Sequence, residues 1–154
     1  MIKSWMAIAP ITFLVSLGAI LISPSDIKWF KQLRRPRWLT FEALIPVIWT
    51  VILICGGFSA YLVWEAGTGG SIGWLIMAFY LLLEIAIIAY IPITLRSRNL
   101  KLGTFVGLVG FGLGILLALA VWQISAWAVL LLGPYLLWSP IGSYTTWAIA
   151  RLNR

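Results

Sequence analysis

The chain is 154 residues long, with 62% hydrophobic residues, 10% charged residues and a net charge of +7. This composition leaves almost no polar surface for a water-soluble domain and is typical of a membrane protein. The basic residues are expected to orient the chain in an anionic leaflet rather than to bind nucleic acid, and a sequence with no His and only Cys55 argues against a metal site or a disulfide framework.

Five apolar segments follow one another, and each is near the ~20 residues that a helix needs to cross ~30 Å of hydrocarbon. We therefore predict an all-α membrane protein in which five transmembrane helices form one bundle and one domain, residues 1–154. The first segment is interpreted as an uncleaved helix, because Ile22-Ser23-Pro24-Ser25 lacks a small-x-small cleavage pattern. The predicted helices are residues 5–23, 43–64, 73–95, 102–121 and 126–149.

Basic residues indicate the side of the membrane on which each connection lies. Five fall in the first loop, three in the third loop and two in the C-terminal tail, whereas Lys3 alone precedes the first segment. Because cytoplasmic loops are enriched in Lys and Arg, we expect the N-terminus outside and the C-terminus in the cytoplasm. The expected location is a bacterial cell membrane, with an organellar membrane as the alternative.

The first loop, residues 24–42, has room for structure of its own. It combines its five cations with four aromatic residues, Trp29, Phe30, Trp38 and Phe41. An amphipathic segment of this kind is expected to lie on the membrane surface or to fold over the mouth of the bundle.

The third segment carries an acidic residue, Glu84, near the bilayer centre. An ionised carboxylate costs roughly 2.5–3.5 kcal/mol at that depth, so the uncharged acid is the expected form. One interpretation is a structural acid that hydrogen-bonds across helices, with Tyr80 on the same face as a candidate partner. The other is a functional residue, either in contact with a ligand or in a small proton-coupled exporter of hydrophobic cations.

The fourth segment carries small residues along one face, which lets another backbone approach closely. The partner helix can belong to the same chain or to a second copy in a homodimer, and the spacing leaves both open. The stripe consists of Gly103, Gly107, Gly110 and Gly114.

Most of the ten tryptophans lie at segment ends, where aromatic belts occur, but two do not. Trp49 lies about 10 Å inside the second segment, and Trp138 lies near the middle of the fifth. On the face of Trp138, a small residue leaves a gap beside the large ring, which suits a flat apolar ligand; ordinary core packing is the alternative. That face consists of Pro134, Trp138, Gly142 and Thr146.

Several short motifs occur at characteristic separations. The first loop and second segment contain Arg35-Pro36-Arg37-Trp38, Trp49-Thr50 and Tyr61-Leu62-Val63-Trp64. The fifth segment contains Pro134-Tyr135-Leu136-Leu137-Trp138, followed by Tyr144, Arg151 and Asn153. Together they resemble the translocator protein family, also called tryptophan-rich sensory proteins or the peripheral benzodiazepine receptor family. The resemblance covers nearly the whole chain.

The resemblance implies a pocket between the helices, closed by the first loop, that binds porphyrins, haem-related tetrapyrroles, sterols or benzodiazepine-type compounds. The chain departs from the family pattern in three regions. Thr40-Phe41 replaces two prolines, Thr146 replaces an asparagine, and the third segment carries Ile85, Ile88, Pro92 and Ile93 in the region where the family has an Asn and a Trp near a Phe-Phe pair. The pocket residues carried over from the family are Trp38, Trp49, Trp138 and Gly142. The residue patterns add Pro134, Thr146, Glu84 and the loop cation Arg35, which is expected to meet ligand carboxylates.

The expected function is binding of a hydrophobic ligand, favouring a porphyrin or haem-type tetrapyrrole, in a sensory, regulatory or transport role that requires no cofactor. Membrane lipid is an expected partner. No catalytic residue is predicted, because no Ser-His-Asp, Cys-His or paired-carboxylate set occurs at the membrane surface. The alternatives are the exporter that uses Glu84, a structural subunit, and the light-dependent porphyrin breakdown that the resemblance allows near Trp49 and Trp138.

Overall fold

The computed structural model describes residues 8, 10, 13, 22–67 and 70–153, and every regular element among them is helical. The all-α prediction is confirmed for this part of the chain, and four of its helices are long and apolar enough to cross a membrane. Most of the predicted first helix, residues 5–23, lies outside the described residues. The helices are α1 (Pro24–Gln32), α2 (Ile45–Glu65), α3 (Ser71–Arg96), α4 (Leu100–Val121) and α5 (Ala126–Leu152), with a short 3-10 helix at Glu42–Leu44.

The helix starts follow local capping rules. The Ser23 hydroxyl accepts a hydrogen bond from the Asp26 N–H and donates one to the Asp26 carboxylate, which fixes the start of α1 within the first loop. Asn99 and Ser125 cap α4 and α5 in the same way with their side-chain oxygens. Short polar connections therefore separate the long apolar helices.

Helices α4 and α5 pack most extensively among the four long helices, and each has two long partners. Helix α5 packs along both α4 and α2, and α4 also packs along α3, whereas α2 and α3 meet only slightly. Helices adjacent in sequence are therefore neighbours for α3, α4 and α5, but the main partner of α2 is α5. A buried hydroxyl joins three of them: Ser59 on α2 donates to the Ala128 carbonyl of α5 over 2.7 Å and accepts from the Tyr80 hydroxyl of α3 over 2.6 Å.

The small-residue stripe of α4 packs within the chain. A Cβ atom built on Gly114 would lie 2.5 Å from Cε1 and 2.9 Å from Cδ1 of Tyr135 on α5. A homodimer seam through this face would have to displace such contacts. The facing pairs are Gly103 with Thr94, Gly107 with Ser143 and Tyr90, and Gly110 and Gly114 with Tyr135.

We expect Gly114→Ala to lower the free energy of unfolding by ~1–3 kcal/mol, because the new methyl group meets the buried Tyr135 ring and forces the α4–α5 interface to repack. Gly112→Ala is the matched control, since nothing lies within 4 Å of its Cβ position. Thermal unfolding followed by circular dichroism in detergent measures both variants. Equal melting temperatures for the two variants would contradict the close α4–α5 approach.

The packed core lies in the half of the bundle that adjoins the connection between α2 and α3. Its side chains without exposed surface are Val63, Leu117, Val121 and Ala128. The opposite half, toward the first loop, is less filled and carries several hydroxyl groups. The candidate site lies in this second half.

Candidate functional site

A small, partly enclosed cavity lies among α2, α3, α4 and α5 in the half of the bundle toward the first loop. Its volume is about 20 Å³, which is room for one water-sized group. None of the described residues that line it is charged. Its walls include Trp49 from α2, Tyr90 from α3, Gly107 from α4, and Tyr135, Ser139, Gly142 and Ser143 from α5.

Hydroxyl groups from two helices form the polar part of a mostly apolar cavity wall. Tyr135, Ser139 and Ser143 follow one another at steps of four along α5, so they share one face. Opposite them, the Tyr90 hydroxyl is hydrogen-bonded to the hydroxyl of Thr146. The Thr146 hydroxyl in turn donates to the Gly142 carbonyl over 3.1 Å, so α3 and α5 are joined beside the cavity.

The two tryptophans that do not fit an aromatic belt meet at this cavity. Trp49 forms part of its wall. Trp138 lies beside it, with its Nε1 atom 3.8 Å from the position of a Cβ atom built on Gly142. A glycine at position 142 therefore leaves the space between the Trp138 indole and the cavity open.

Aromatic rings of the first loop lie against the Trp138 indole and α5. The Phe41 ring meets Trp138 edge to face, with ring centroids 6.2 Å apart. Trp38 lies 6.3 Å from Phe41 and stacks on Tyr144 of α5 at 5.8 Å. These contacts are of the kind worth ~0.5–1.5 kcal/mol each beyond their buried area. The loop therefore covers the Trp138 side of the site.

The C-terminal end of α5 holds the backbone of the same loop. The Asn153 side-chain oxygen accepts from the Arg34 N–H over 2.9 Å, and its amide nitrogen donates to the Arg34 carbonyl over 3.1 Å. A little further along, Leu39 is buried in a cluster with Leu100 and Ile149. The loop is thus fixed to α5 on both sides of its central residues.

Arg35 organises the loop internally. Its Nε–H donates to the Glu42 carboxylate at 3.1 and 3.2 Å, and its Nη1 donates to the carbonyls of Phe30 and Leu33. The guanidinium also lies 4.4 Å from the centre of the Phe30 ring. Contact between Arg35 and ligand carboxylates stays a prediction. The other four cations of this loop, Lys28, Lys31, Arg34 and Arg37, are exposed.

The sequence-predicted residues do not all reach the cavity. Trp49 and Gly142 line it, whereas Trp138 and Thr146 adjoin it and Trp38 lies in the covering loop. Pro134 lies within α5, one turn from Trp138 on the core side. Glu84 lies on the face of α3 that carries Tyr80 and the cavity residue Ile87, and the Tyr80 hydroxyl suggested as its partner is hydrogen-bonded to Ser59.

Sequence reasoning missed three contributors to the site, namely Tyr90, Ser143 and Phe41. A signal for Ser143 was present, because Tyr135, Ser139 and Ser143 repeat at steps of four on the predicted fifth helix. Tyr90 had no comparable signal, since a tyrosine near a helix end is also typical of the aromatic belt.

Comparison with known proteins gives consistent similarities over the full length. The family model described as TspO/MBR family matches residues 6–152. A protein named uncharacterized membrane protein YtaB, from Bacillus subtilis, is 26% identical over 96% of this chain and 95% of its own length. The translocator protein of Sus scrofa is 23% identical over 100% of this chain and 94% of its own. The tryptophan-rich protein TspO of Bacillus cereus is 26% identical over 93% and 95%, respectively.

Proposed function

Because this chain belongs to the TspO/MBR family and is a multi-pass integral membrane protein, we propose that it binds a flat hydrophobic ligand, a porphyrin or related tetrapyrrole, beneath the first loop. The observation that carries the proposal is the convergence of Trp49, Trp138 and Gly142 on one cavity, with loop aromatics against its Trp138 side. A sensory, regulatory or transport role requires only that the ligand bind and needs no catalytic group.

Binding of a ring system requires the loop to move. A cavity of about 20 Å³ is far smaller than the ~300–1,000 Å³ of typical ligand pockets. In the structure the Phe41 ring makes a T-shaped contact with the Trp138 indole. A planar ligand replaces Phe41 as the aromatic partner of Trp138. Because one aromatic contact of Trp138 is exchanged for another of similar kind, moving the loop away costs little free energy.

The charge distribution supports a ligand whose anionic groups remain outside. Among the described residues, none that lines the cavity is charged, and a buried carboxylate without a partner would be costly. The loop above it exposes Arg34 and Arg37. A tetrapyrrole fits this arrangement with its apolar ring edge inward and its propionates toward the loop.

The test is a titration of the purified protein in nanodiscs with protoporphyrin IX, a linear tetrapyrrole and a sterol. We expect saturable quenching of tryptophan fluorescence by a tetrapyrrole, with the ligand recovered unchanged in darkness and in light. Light-dependent turnover of the ligand would support the degrading activity instead. Absence of saturable binding for every tetrapyrrole would overturn the proposal.

We also propose the full architecture: one domain of five transmembrane helices, with the N-terminus outside and the C-terminus in the cytoplasm. In a Cys55→Ala background, Ala66→Cys places a thiol between α2 and α3, and Ser97→Cys places one between α3 and α4; both positions are exposed. A membrane-impermeant maleimide should label position 66 in intact cells and position 97 only after permeabilisation. The reverse pattern would invert the orientation.

Glu84→Gln separates a ligand binder from a proton-coupled exporter. Glutamine keeps the size and much of the hydrogen-bonding capacity of an uncharged acid but cannot exchange a proton with solvent. We expect porphyrin affinity to change by less than about threefold, under ~0.7 kcal/mol. If the parent moves a hydrophobic cation across liposomes in response to a proton gradient and Glu84→Gln abolishes the movement, the exporter takes the place of the binder.

A further inference from the structure

Two buried polar groups meet at the cavity without a hydrogen-bond partner among the described residues. They are the hydroxyl of Ser143, a residue that is 3% exposed, and the indole N–H of Trp138. A buried donor that has no acceptor is unfavourable, and nearly all buried polar groups in proteins have a partner. An acceptor atom that enters the cavity would supply one.

The Ser143 hydroxyl differs from its neighbours on α5. The hydroxyls of Thr145 and Thr146 donate to the backbone carbonyls four residues earlier, over 2.8 and 3.1 Å. Ser143 makes no such bond and instead lines the cavity opposite Gly107. Any side chain at position 107 would collide with the Ser143 hydroxyl, so this glycine lets the hydroxyl lie between α4 and α5 at the cavity wall.

The volume of the cavity and the residues that line it limit which group can bind there. A volume of about 20 Å³ holds one oxygen atom of a ligand but not a ring. Because none of the described residues that line the cavity is charged, a neutral oxygen suits it better than an anionic one. A carbonyl oxygen meets both conditions and accepts from a hydroxyl donor, while the indoles of Trp49 and Trp138 suit a planar body attached to it.

We propose that Ser143 forms a subsite for a neutral carbonyl oxygen on the edge of a planar ring system, with the ring against Trp138 and the indole N–H as a second donor. The inference rests on the proposed ligand-binding function and refines it. Among flat hydrophobic ligands, it favours those that carry a neutral ring carbonyl on the edge that enters first.

A matched pair of ligands tests the subsite directly. Fluorenone and fluorene share one planar ring system, but only fluorenone carries the carbonyl. After correction for partitioning into empty nanodiscs, we expect the parent protein to bind fluorenone about fivefold more tightly, the effect of one net hydrogen bond. Ser143→Ala should bring the ratio close to one. The control Thr145→Val removes a buried hydroxyl from the same helix that already has a partner, and it should keep the parent ratio.

Stability provides a second readout. Ser143→Ala should leave the melting temperature of the ligand-free protein unchanged or raise it, because no protein hydrogen bond is lost. A parent ratio of one, failure of both compounds to bind, or an unchanged ratio in Ser143→Ala would each overturn the subsite. Porphyrin titration decides the proposed function separately: porphyrin binding without a carbonyl preference removes only the subsite, and a carbonyl preference without porphyrin binding removes only the tetrapyrrole assignment.

Discussion

Trp138→Ala is expected to weaken porphyrin binding by about thirtyfold, or ~2 kcal/mol, the usual effect of removing a central aromatic contact. Trp138 adjoins the cavity through Gly142, and the Phe41 ring packs against its indole. A ligand that displaces Phe41 therefore loses its main stacking surface in the variant. Trp49→Ala should act in the same direction, because Trp49 forms part of the cavity wall.

Trp74→Ala is the control for this prediction. Trp74 is 67% exposed and packs on Trp64 at the other end of the bundle, so its loss should leave porphyrin affinity nearly unchanged. Dissociation constants are measured from the porphyrin absorbance, which does not depend on the number of tryptophans. If Trp138→Ala and Trp49→Ala bind like the parent while Trp74→Ala does not, the ligand site is elsewhere.

The combined variant Trp38→Ala and Phe41→Ala should release bound porphyrin about thirtyfold faster. Trp38 stacks on Tyr144 and holds the central part of the loop on α5, and the Phe41 ring, once displaced from Trp138, is expected to lie against the bound ligand. Two aromatic contacts of ~1 kcal/mol each correspond to about this factor in a rate. The association rate should change much less, because a loosened loop lets the ligand leave faster but does not hinder its entry.

Stopped-flow displacement of bound porphyrin by excess unlabelled competitor measures the release rate. Gln32→Ala, which removes an exposed and uncharged side chain from the same loop, is the matched control and should release at close to the parent rate. Asn153→Ala loosens the loop from its other anchor and should also speed release. Equal release rates in the parent and the double variant would show that the loop is not a lid.

The membrane-spanning helices could be predicted because each needs only an uninterrupted apolar stretch of sufficient length. Helix α1 was not predicted, although Ser23, Pro24 and Asp26 form a readable capping box at its start. The packing of α2 against α5 could not be predicted, because the apolar pattern of each helix does not show which face meets which partner; in the structure Ser59 bonds to the carbonyl of Ala128 within this interface. Short loops bring helix ends together but do not fix which faces meet.

Within the candidate site, Trp49, Trp138 and Gly142 were identifiable because they interrupt the pattern of an ordinary membrane helix. The spacing of Tyr135, Ser139 and Ser143 places Ser143 on a shared face, but a helical serine usually bonds to its own backbone, and only the structure shows that Ser143, unlike Thr145, does not. Phe41 lies where the sequence departs from the family's prolines, and in this chain it supplies the ring against Trp138.

Fluorine NMR of protein labelled with fluorotryptophan tests the location of the ligand most directly, because all ten tryptophans report at once without any change in the fold. Resonances are assigned by single Trp→Phe replacements, and the spectrum is compared without and with saturating porphyrin. We predict that the signals of Trp38, Trp49 and Trp138 shift strongly under the ring current of the ligand, while those of the exposed Trp74, Trp122 and Trp127 stay in place. Shifts confined to the exposed three, with Trp49 and Trp138 unmoved at saturation, would contradict a ligand site beneath the first loop.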